Sequence, residues 1–352
     1  MAGLFPPQER NWALPAEAEL TPRAAERVGR ESATQGSDPA ARALSIDWGT
    51  QIHGRQLQRW GQALGQSVVR VRDAEVLAYA TGERPQAPAN EPELLVIGVD
   101  GGRVQGREKD PETGSRWRED KVATVTTYVP GDGKERDPQP LVTTTVATMG
   151  DVKAFAPLVR VEAERRGLRR AAVVIALGDG GNWIGPLFDA HFKVAARIID
   201  WCHAVEHLHD CAKAAFGAQT TQGTAWAEFA EAWLWDGKVE AVIQAIQRES
   251  DRMGPAGEGD GPDHPRRVLQ QNVGYFTKHK DHMKYPEYRA KGWPIGSGVT
   301  EAAVKQFNKR VKGTEQFWHL EGVEPILALR GLWISQDGRW DRYWTNRPAY
   351  VN

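Results

Sequence analysis

The sequence has little cysteine and no long apolar run, and each absence excludes a class of protein. Cys202 and Cys211 are the only cysteines among 352 residues, which excludes a disulfide framework and a cysteine-rich zinc site and fits a reducing compartment. The longest apolar runs, 94–99 and 171–177, are much shorter than the ~18 residues of a membrane span. The first ten residues also lack the basic and apolar pattern of a signal peptide. We therefore expect a cytoplasmic protein without a membrane partner.

Charge is balanced over the whole chain but not along it. The 45 Lys and Arg residues against 46 Asp and Glu give a net charge of −1. Residues 265–352, however, carry 15 basic residues against 8 acidic ones, whereas residues 91–264 carry 20 against 28. A basic C-terminal quarter favours a surface that binds a polyanion, although an ordinary solvated face has the same composition.

Helical patterns fill the first part of the chain. Thr21-Pro22 is typical of a helix start, and apolar residues at helical spacing predict a third short helix over 53–64. This third helix would expose Arg55 and Arg59 and could read DNA in a helix-turn-helix unit. Three packed helices without any role in DNA binding are the equally favoured alternative.

From residue 93 the pattern changes to strands and then to alternating helices and strands. The predicted order is β-β-β-α-β-α-β, which indicates an α/β sheet with antiparallel and parallel parts and is the order of a ribonuclease H-like fold. The strands are predicted at 93–99, 121–129, 141–149, 171–177 and 193–199. The helices beyond residue 150 are predicted at 152–166, 186–190, 201–216, 225–250, 264–280, 299–312 and 325–334.

Two aspartates follow predicted buried strands. Asp100 and Asp179 are each followed by two glycines, and ligands gather at the strand ends of open α/β sheets. Carboxylates near an apolar sheet repel one another unless a cation bridges them, and Mg²⁺ accepts a few carboxylates together with water and substrate phosphates. The sequence therefore predicts one or two Mg²⁺ ions here. The alternative is that each aspartate only caps a turn.

A third carboxylate and several cations share one predicted helix. Glu301 stands in its first turn after a glycine-rich entry, Gly296-Ser297-Gly298. A carboxylate beside cations that bind phosphates is what a polynucleotidyl transfer site needs, although helix starts also favour solvated acids. The cations predicted to contact DNA from this helix are Lys305, Lys309, Arg310 and Lys312.

The sequence resembles the DDE transposases of bacterial insertion sequences, most closely those of the ISKra group. The stretches that carry the resemblance are VIGVDGGRV (96–104), ALGDGGNWI (176–184), IIDWCHAVEHL (198–208), WPIGSGVTEAAVKQFNKRVKG (293–313), LRGLW (329–333) and GRWDRYW (338–344). The resemblance implies that Asp100, Asp179 and Glu301 hold two Mg²⁺ ions, with Mn²⁺ able to substitute. It also implies a catalytic role for His203, and more weakly a site role for Asp200, through the family's Asp/Cys-x-x-His motif.

The resemblance also implies a reaction and a domain plan. The reaction is cleavage and strand transfer of double-stranded DNA at element ends and targets, by a homo-oligomer associated with a bacterial nucleoid. The 121 residues between Asp179 and Glu301 resemble the family's helical insertion. The predicted division is a disordered start (1–20), a helical DNA-binding unit (21–81), a linker (82–92), a catalytic core (93–204 and 291–345) and a helical insertion (205–290). The chain departs from the family in having no cysteine-rich N-terminal segment.

Three other interpretations stay open. Actin-like ATPases and sugar kinases also place Asp-Gly turns after strands, but that interpretation leaves Glu301 and the basic helix unexplained. A DNA-binding derivative of a transposase that no longer cleaves has the same overall pattern. His203 and His207 stand four residues apart on one predicted helix and could share a zinc ion, but HAVEH has its glutamate at the wrong position for a zinc-protease motif.

Overall fold

The computed structural model describes residues 20–313 and 316–345, which form five strands and thirteen α-helices. The strands are β1 (Leu94–Gln105), β2 (Trp117–Val129), β3 (Gln139–Thr148), β4 (Val173–Gly178) and β5 (Ala196–Ile199). The helices are α1 (Pro22–Thr34), α2 (Ser37–Trp48), α3 (Gly54–Ala80), α4 (Val152–Arg165), α5 (Ile184–His191), α6 (Trp201–Phe216), α7 (Thr221–Trp235), α8 (Val239–Met253), α9 (Pro265–His279), α10 (Tyr285–Ala290), α11 (Gly298–Val311), α12 (Glu324–Ile334) and α13 (Arg339–Thr345). The predicted disorder of residues 1–20 lies, apart from Leu20, outside the described residues.

The fold is α/β, and its chain order from β1 to β5 is the predicted β-β-β-α-β-α-β. The strands lie in the order β3-β2-β1-β4-β5. The last two pair in parallel, with Gly178 of β4 opposite Ile199 of β5. Because parallel strands end at the same edge, the residues that follow Gly178 and Ile199 emerge side by side.

Three of the differences between predicted and observed elements are the largest. Strand β1 runs to Gln105, so Asp100 lies within the strand rather than after its end. The helix predicted over 225–250 is two helices, because Gly237 adopts a left-handed φ of +77° between α7 and α8. Helix α3 continues sixteen residues beyond the predicted end at Leu64, to Ala80.

The chain divides into two compact units. Unit 1 comprises Met1–Thr127, Leu141–Ala171 and Val299–Asn352, and unit 2 comprises Tyr128–Pro140 and Ala172–Gly298. In unit 1, helix α11 packs on β1 and β2 through one apolar cluster. Members of that cluster are Val104, Val122, Ala303, Val304 and Phe307. Removal of these side chains from water fixes α11 against the strand that carries Asp100.

A second apolar cluster of unit 1 joins its helices. Helix α3 packs against α1, α2 and α12. The cluster includes Leu44, Leu57, Leu64, Leu329 and Trp340, all at most 7% exposed. Helix α1 begins as predicted, because the Thr21 hydroxyl accepts the Ala24 N–H at 3.2 Å and Pro22 occupies the first turn.

In unit 2, helices α6 to α9 pack on one another beside the two parallel strands. The contacts pair α6 with α7, α8 with α9, and α6 with α9. Their buried side chains include Leu208, Cys211, Val242, Ile246 and Phe276. The start of α6 and the end of α9 thereby lie at the strand ends that carry Asp179 and Asp200. Among the described residues, no helix combines the length and the apolar character needed to cross a bilayer.

Candidate active site

Asp179 and Asp200 of unit 2 stand at the same edge of the parallel strand pair. Asp179 directly follows β4, as predicted, and Asp200 directly follows β5. The Asp200 N–H donates to the Gly178 carbonyl at 2.9 Å, which continues the strand pairing up to the aspartates. The Asp179 carboxylate accepts the Gly181 N–H at 2.8 Å. That bond closes a tight turn and fixes the carboxylate at the sheet edge.

The carboxylate of Asp200 joins two chain segments. It is fully buried, and one oxygen caps α6 by accepting the His203 N–H at 2.8 Å. The other oxygen accepts the Ser297 N–H from the loop before α11. The Trp201 N–H donates to the Ile295 carbonyl of the same loop at 2.9 Å. Since both oxygens accept backbone donors, Asp200 acts as a positioning residue that holds the glycine-rich loop at the start of α6.

His203 occupies the first turn of α6, beside Asp200. A ring nitrogen of His203 and a carboxylate oxygen of Asp200 lie within 4.8 Å of each other. The His203 Nδ1 lies 3.2 Å from a Glu206 carboxylate oxygen, and its side chain is 30% exposed. The Asp-x-x-His spacing in the sequence is therefore the spacing of a helix cap, which fixes the imidazole near the strand ends.

Helix α9 contributes residues to this edge that the sequence analysis missed. The Tyr275 hydroxyl donates to the Asp179 carbonyl at 3.0 Å, and the His207 ring stacks on Tyr275 with centroids 3.9 Å apart. Gly180 has a φ of +89°, and a Cβ there would lie 3.1 Å from the His279 Nε2. Tyr275 and His279 stand four residues apart on one face of α9, but no motif in the sequence connects that face with the Asp179 turn.

Burial sets the ionisation state of these α9 residues. Desolvation, followed by the charge of Lys278, lowers the pKa of His279 to about 4. Desolvation also raises the pKa of the Tyr275 phenol above its usual range. At neutral pH the turn of Asp179 is therefore lined by a neutral imidazole and a neutral phenol. The neutral imidazole of His279 therefore adds no positive charge that would oppose a cation at this turn.

In unit 1, the start of α11 is fixed on the strand that carries Asp100. The Thr300 hydroxyl lies 2.8 Å from the Thr124 hydroxyl of β2. A Cβ at Gly98 of β1 would lie only 2.0 Å from the Thr300 Oγ1, so only glycine leaves room for this contact. Glu301 follows Thr300 directly, and its carboxylate forms an ion pair with Lys305 at 2.9 Å.

The glycines after Asp100 make room for two further carboxylates. A Cβ at Gly101 would lie 2.7 Å from a Glu119 oxygen, and one at Gly102 would lie 2.5 Å from an Asp120 oxygen. Both acids belong to β2. The space beside these two glycines of β1 is therefore occupied by carboxylates of the next strand. Neither Glu119 nor Asp120 was singled out from the sequence.

The predicted DNA-contacting cations of α11 fall into two groups. Lys305, Lys309 and Lys312 are exposed, and the Lys312 ammonium lies 5.3 Å from the centroid of the Trp117 ring. Arg310 is a correction, because it is only 3% exposed and its guanidinium donates to the Ser32 carbonyl. It stands three residues after the buried Phe307 and so lies on the packed face of the helix. A buried guanidinium bound to a carbonyl supports the fold and is not available to a phosphate.

Arg55 and Arg59 are exposed at the start of α3. They stand four residues apart and thus share one helix face. Helix α3 is 27 residues long and packs against α1 and α12. The role of Arg55 and Arg59 in DNA contact stays a prediction.

The chemistry of the predicted donors suits a hard divalent cation. Asp100, Asp179 and Glu301 offer carboxylate oxygens, which are the ligands that Mg²⁺ takes in proteins. Asp100 and Asp179 are each half-buried at or beside a strand, where a bound cation would offset the cost of desolvating the carboxylate. The residues present therefore fit Mg²⁺ or Mn²⁺.

Comparisons with known proteins find a distant structural likeness. No family model matches the chain, and no curated protein matches it. Among solved structures, the Drosophila P element transposase strand transfer complex is similar over 90% of this chain and 93% of that chain, with 10% sequence identity and a TM-score of 0.38.

Proposed function

We propose that this protein is a DNA transposase of the DDE type with a ribonuclease H-like core, as its resemblance to the ISKra group implies. The main observation in support of the proposal is the packing of the start of α11 on β1. Thr300 packs over Gly98 and bonds to Thr124, which sets Glu301 at the start of a helix held on the strand of Asp100. A functional role for Glu301 explains why β1 has a glycine at position 98, where a side chain would prevent α11 from packing.

In this proposal, Asp100, Asp179 and Glu301 hold two Mg²⁺ ions. The bound ions would supply activation of a water or a 3′-hydroxyl and neutralise charge on the leaving oxygen. Tyr275 and the Gly181 N–H hold the Asp179 turn in place. His203 orients the attacking water or contacts the scissile phosphate. Asp200 holds the His203 backbone, and the exposed lysines of α11 bind the flanking phosphates.

The direct test is nicking of DNA that carries the sequences flanking this coding region. We expect strand cleavage with Mg²⁺ or Mn²⁺ and none with EDTA. Joining of the cut 3′ end to a second duplex would establish strand transfer.

A second candidate is a derivative that binds DNA without cleaving it, which the exposed lysines of α11 favour as much as they favour an enzyme. Tight binding of these ends without nicking in either metal would identify that derivative.

His203→Ala is expected to lower the nicking rate by about 10²- to 10⁴-fold, the contribution typical of a positioned proton-transfer group. The melting temperature should change little, because the cap of α6 uses the His203 backbone N–H, which the variant keeps. His209→Ala is the matched control, since His209 is exposed on the same helix. A large loss of stability with normal specific activity would show that His203 has only a structural role.

Neutralising the exposed lysines of α11 is expected to flatten the salt dependence of DNA binding. With Lys305, Lys309 and Lys312 all changed to Gln, the slope of log K against log salt should fall by about 2 to 3, which is close to one counterion per lost phosphate contact. Lys153→Gln should leave the slope unchanged, because Lys153 is exposed on a different helix, α4. An unchanged slope in the triple variant would mean that the three lysines are merely solvated.

A further inference from the structure

Asp120 is a buried carboxylate of unit 1. It stands on β2 with a side chain that is 0% exposed. Among the described residues, neither of its carboxylate oxygens has a hydrogen-bond partner. Buried carboxylates are ordinarily paired or bound to a metal, since an isolated one is costly to desolvate. Burial of Asp120 without a hydrogen-bond partner in the described part of the chain therefore indicates that its carboxylate binds a ligand.

The carboxylate of Asp120 lies on the same face of the strands as Asp100. Side chains alternate along a strand, so Gly98, Asp100 and Gly102 share one face of β1. A Cβ at Gly102 would lie 2.5 and 2.7 Å from the two Asp120 oxygens, which places them against that face. Glu119 points to the opposite face, where it approaches Gly101 and forms an ion pair with Lys121 at 2.8 Å.

The electrostatics of this face favour an added cation. Burial is the largest cause that raises the pKa of Asp120, and the charges of Glu119 and Asp100 raise it further, to about 6. The surroundings thus disfavour the ionised form of Asp120, because the carboxylate is buried and two neighbouring carboxylates carry the same charge. A divalent cation reverses this balance, because it becomes the largest local charge and favours the ionised form of Asp120.

The donor types on this face limit which cation is suitable. Asp100 and Asp120 offer only carboxylate oxygens, whereas zinc sites usually include histidine or cysteine. Mg²⁺ commonly binds one or two carboxylates and keeps several waters, and Mn²⁺ accepts the same ligands. Two carboxylates on neighbouring strands are therefore enough for a site of this kind.

We propose that Asp120 and Asp100 together bind a divalent cation, with Asp120 as an inner carboxylate that the metal triad Asp100, Asp179 and Glu301 does not include. The assignment of Asp120 explains why Gly102 lacks a side chain and why the described residues leave both oxygens of a buried acid without a hydrogen-bond partner. What the cation does in catalysis rests on the proposed function, whereas the binding site itself rests on β1 and β2 alone.

Calorimetric titration of the full chain with Mn²⁺ tests the site. Asp120→Asn is expected to weaken binding of Mn²⁺ by at least about tenfold and, without metal, to leave the melting temperature at pH 8 equal or higher. Glu119→Gln is the matched control, because it removes a neighbouring charge from the opposite face, and its Mn²⁺ affinity should stay within about twofold of wild type. Unchanged Mn²⁺ affinity in Asp120→Asn would overturn the proposal.

A pair of glycine variants keeps the proposal testable if Asp120→Asn fails to fold. Gly102→Ala forces a methyl group against a short, buried carboxylate, so it should weaken Mn²⁺ binding as Asp120→Asn does. Gly101→Ala meets the end of the longer Glu119 side chain, which is 47% exposed and can move aside. Equal Mn²⁺ affinity in the two alanine variants would count against the site.

The outcomes separate this site from the proposed function. If wild type nicks DNA and Asp100→Asn does not, while Asp120→Asn retains both Mn²⁺ affinity and nicking, the Asp120 site is wrong and the transposase proposal stands. If wild type does not nick DNA but binds Mn²⁺, and if Asp100→Asn and Asp120→Asn each weaken that binding, the site is established and the proposed function fails.

Discussion

Asp179→Asn is expected to reduce Mg²⁺-dependent DNA nicking by about 10³-fold or more, because it removes a charged ligand from the proposed metal site. The fold should tolerate the change. The Gly181 N–H can still donate to the remaining side-chain oxygen, and Tyr275 bonds to the Asp179 backbone carbonyl, which the substitution leaves in place. The measurements are the single-turnover nicking rate, the affinity for end DNA and the melting temperature, of which only the first should change strongly.

Asp189→Asn is the matched control for Asp179→Asn. Asp189 also belongs to unit 2, but its side chain is 75% exposed and pairs with Arg197 at 3.1 Å. Its loss should leave the nicking rate within about twofold, since exposed ion pairs contribute little. Undiminished nicking by Asp179→Asn, or by wild type in EDTA, would contradict the DDE assignment. Metal-dependent release of phosphate from ATP would favour the actin-like alternative instead.

Much of the fold could be predicted from local sequence patterns. The order from β1 to β5 is confirmed because each strand is a short apolar or β-branched run bounded by turn residues. The break between α7 and α8 was missed because Gly237 interrupts a continuous apolar stripe, and its left-handed φ is not visible in the periodicity. The length of β1 was missed because Asp100, Gly101 and Gly102 have low strand propensity. The carboxylates of β2 fill the space beside those glycines in the folded sheet.

Residues of the candidate site could be predicted only where a single segment of the sequence identifies them. Asp179 follows from a single segment of chain, and the structure places it directly after β4. The cap that Asp200 forms on α6 was not predicted, although it also involves a single segment. The burial of Asp120 depends on which residue of β1 lies beside it, and that register is not contained in either strand alone. The burial of Arg310 follows the same rule, because its partner Ser32 is 278 residues away in the sequence.

Unit 1 also contains a buried ion-pair network that is separate from the site. Arg339 of α13 forms two hydrogen bonds with the Glu162 carboxylate of α4, at 2.6 and 2.9 Å, and also bonds to Asp337 at 2.8 Å. Arg165 donates to the same Glu162 carboxylate at 2.7 Å. Side-chain exposure is 4% for Glu162 and 13% for Arg339. These bonds join α13 to α4 through carboxylates that are almost fully buried.

The second large effect is expected from Arg339→Met, which should destabilise unit 1 by about 3–5 kcal/mol, because it leaves the Glu162 carboxylate buried with fewer partners. Amide hydrogen exchange of α4 measures this loss for unit 1 separately from unit 2. Arg342→Met is the control on the same helix. Arg342 is 59% exposed and lies 3.4 Å from Asp337, so its loss should cost less than about 1 kcal/mol.

The pH dependence gives an independent check on Arg339→Met. Although burial alone would raise the pKa of Glu162, the charges of Arg339 and Arg165 hold it at about 2, below the ordinary value of 4.5. A depressed carboxylate pKa stabilises the folded state above pH 4.5, and that contribution is lost as the pH falls toward 2. In Arg339→Met the pKa of Glu162 rises, so acid unfolding of unit 1 should begin at a higher pH than in wild type. If Arg339→Met and Arg342→Met unfold at the same pH, with the same exchange of α4, the network is not what holds α13 to the rest of unit 1.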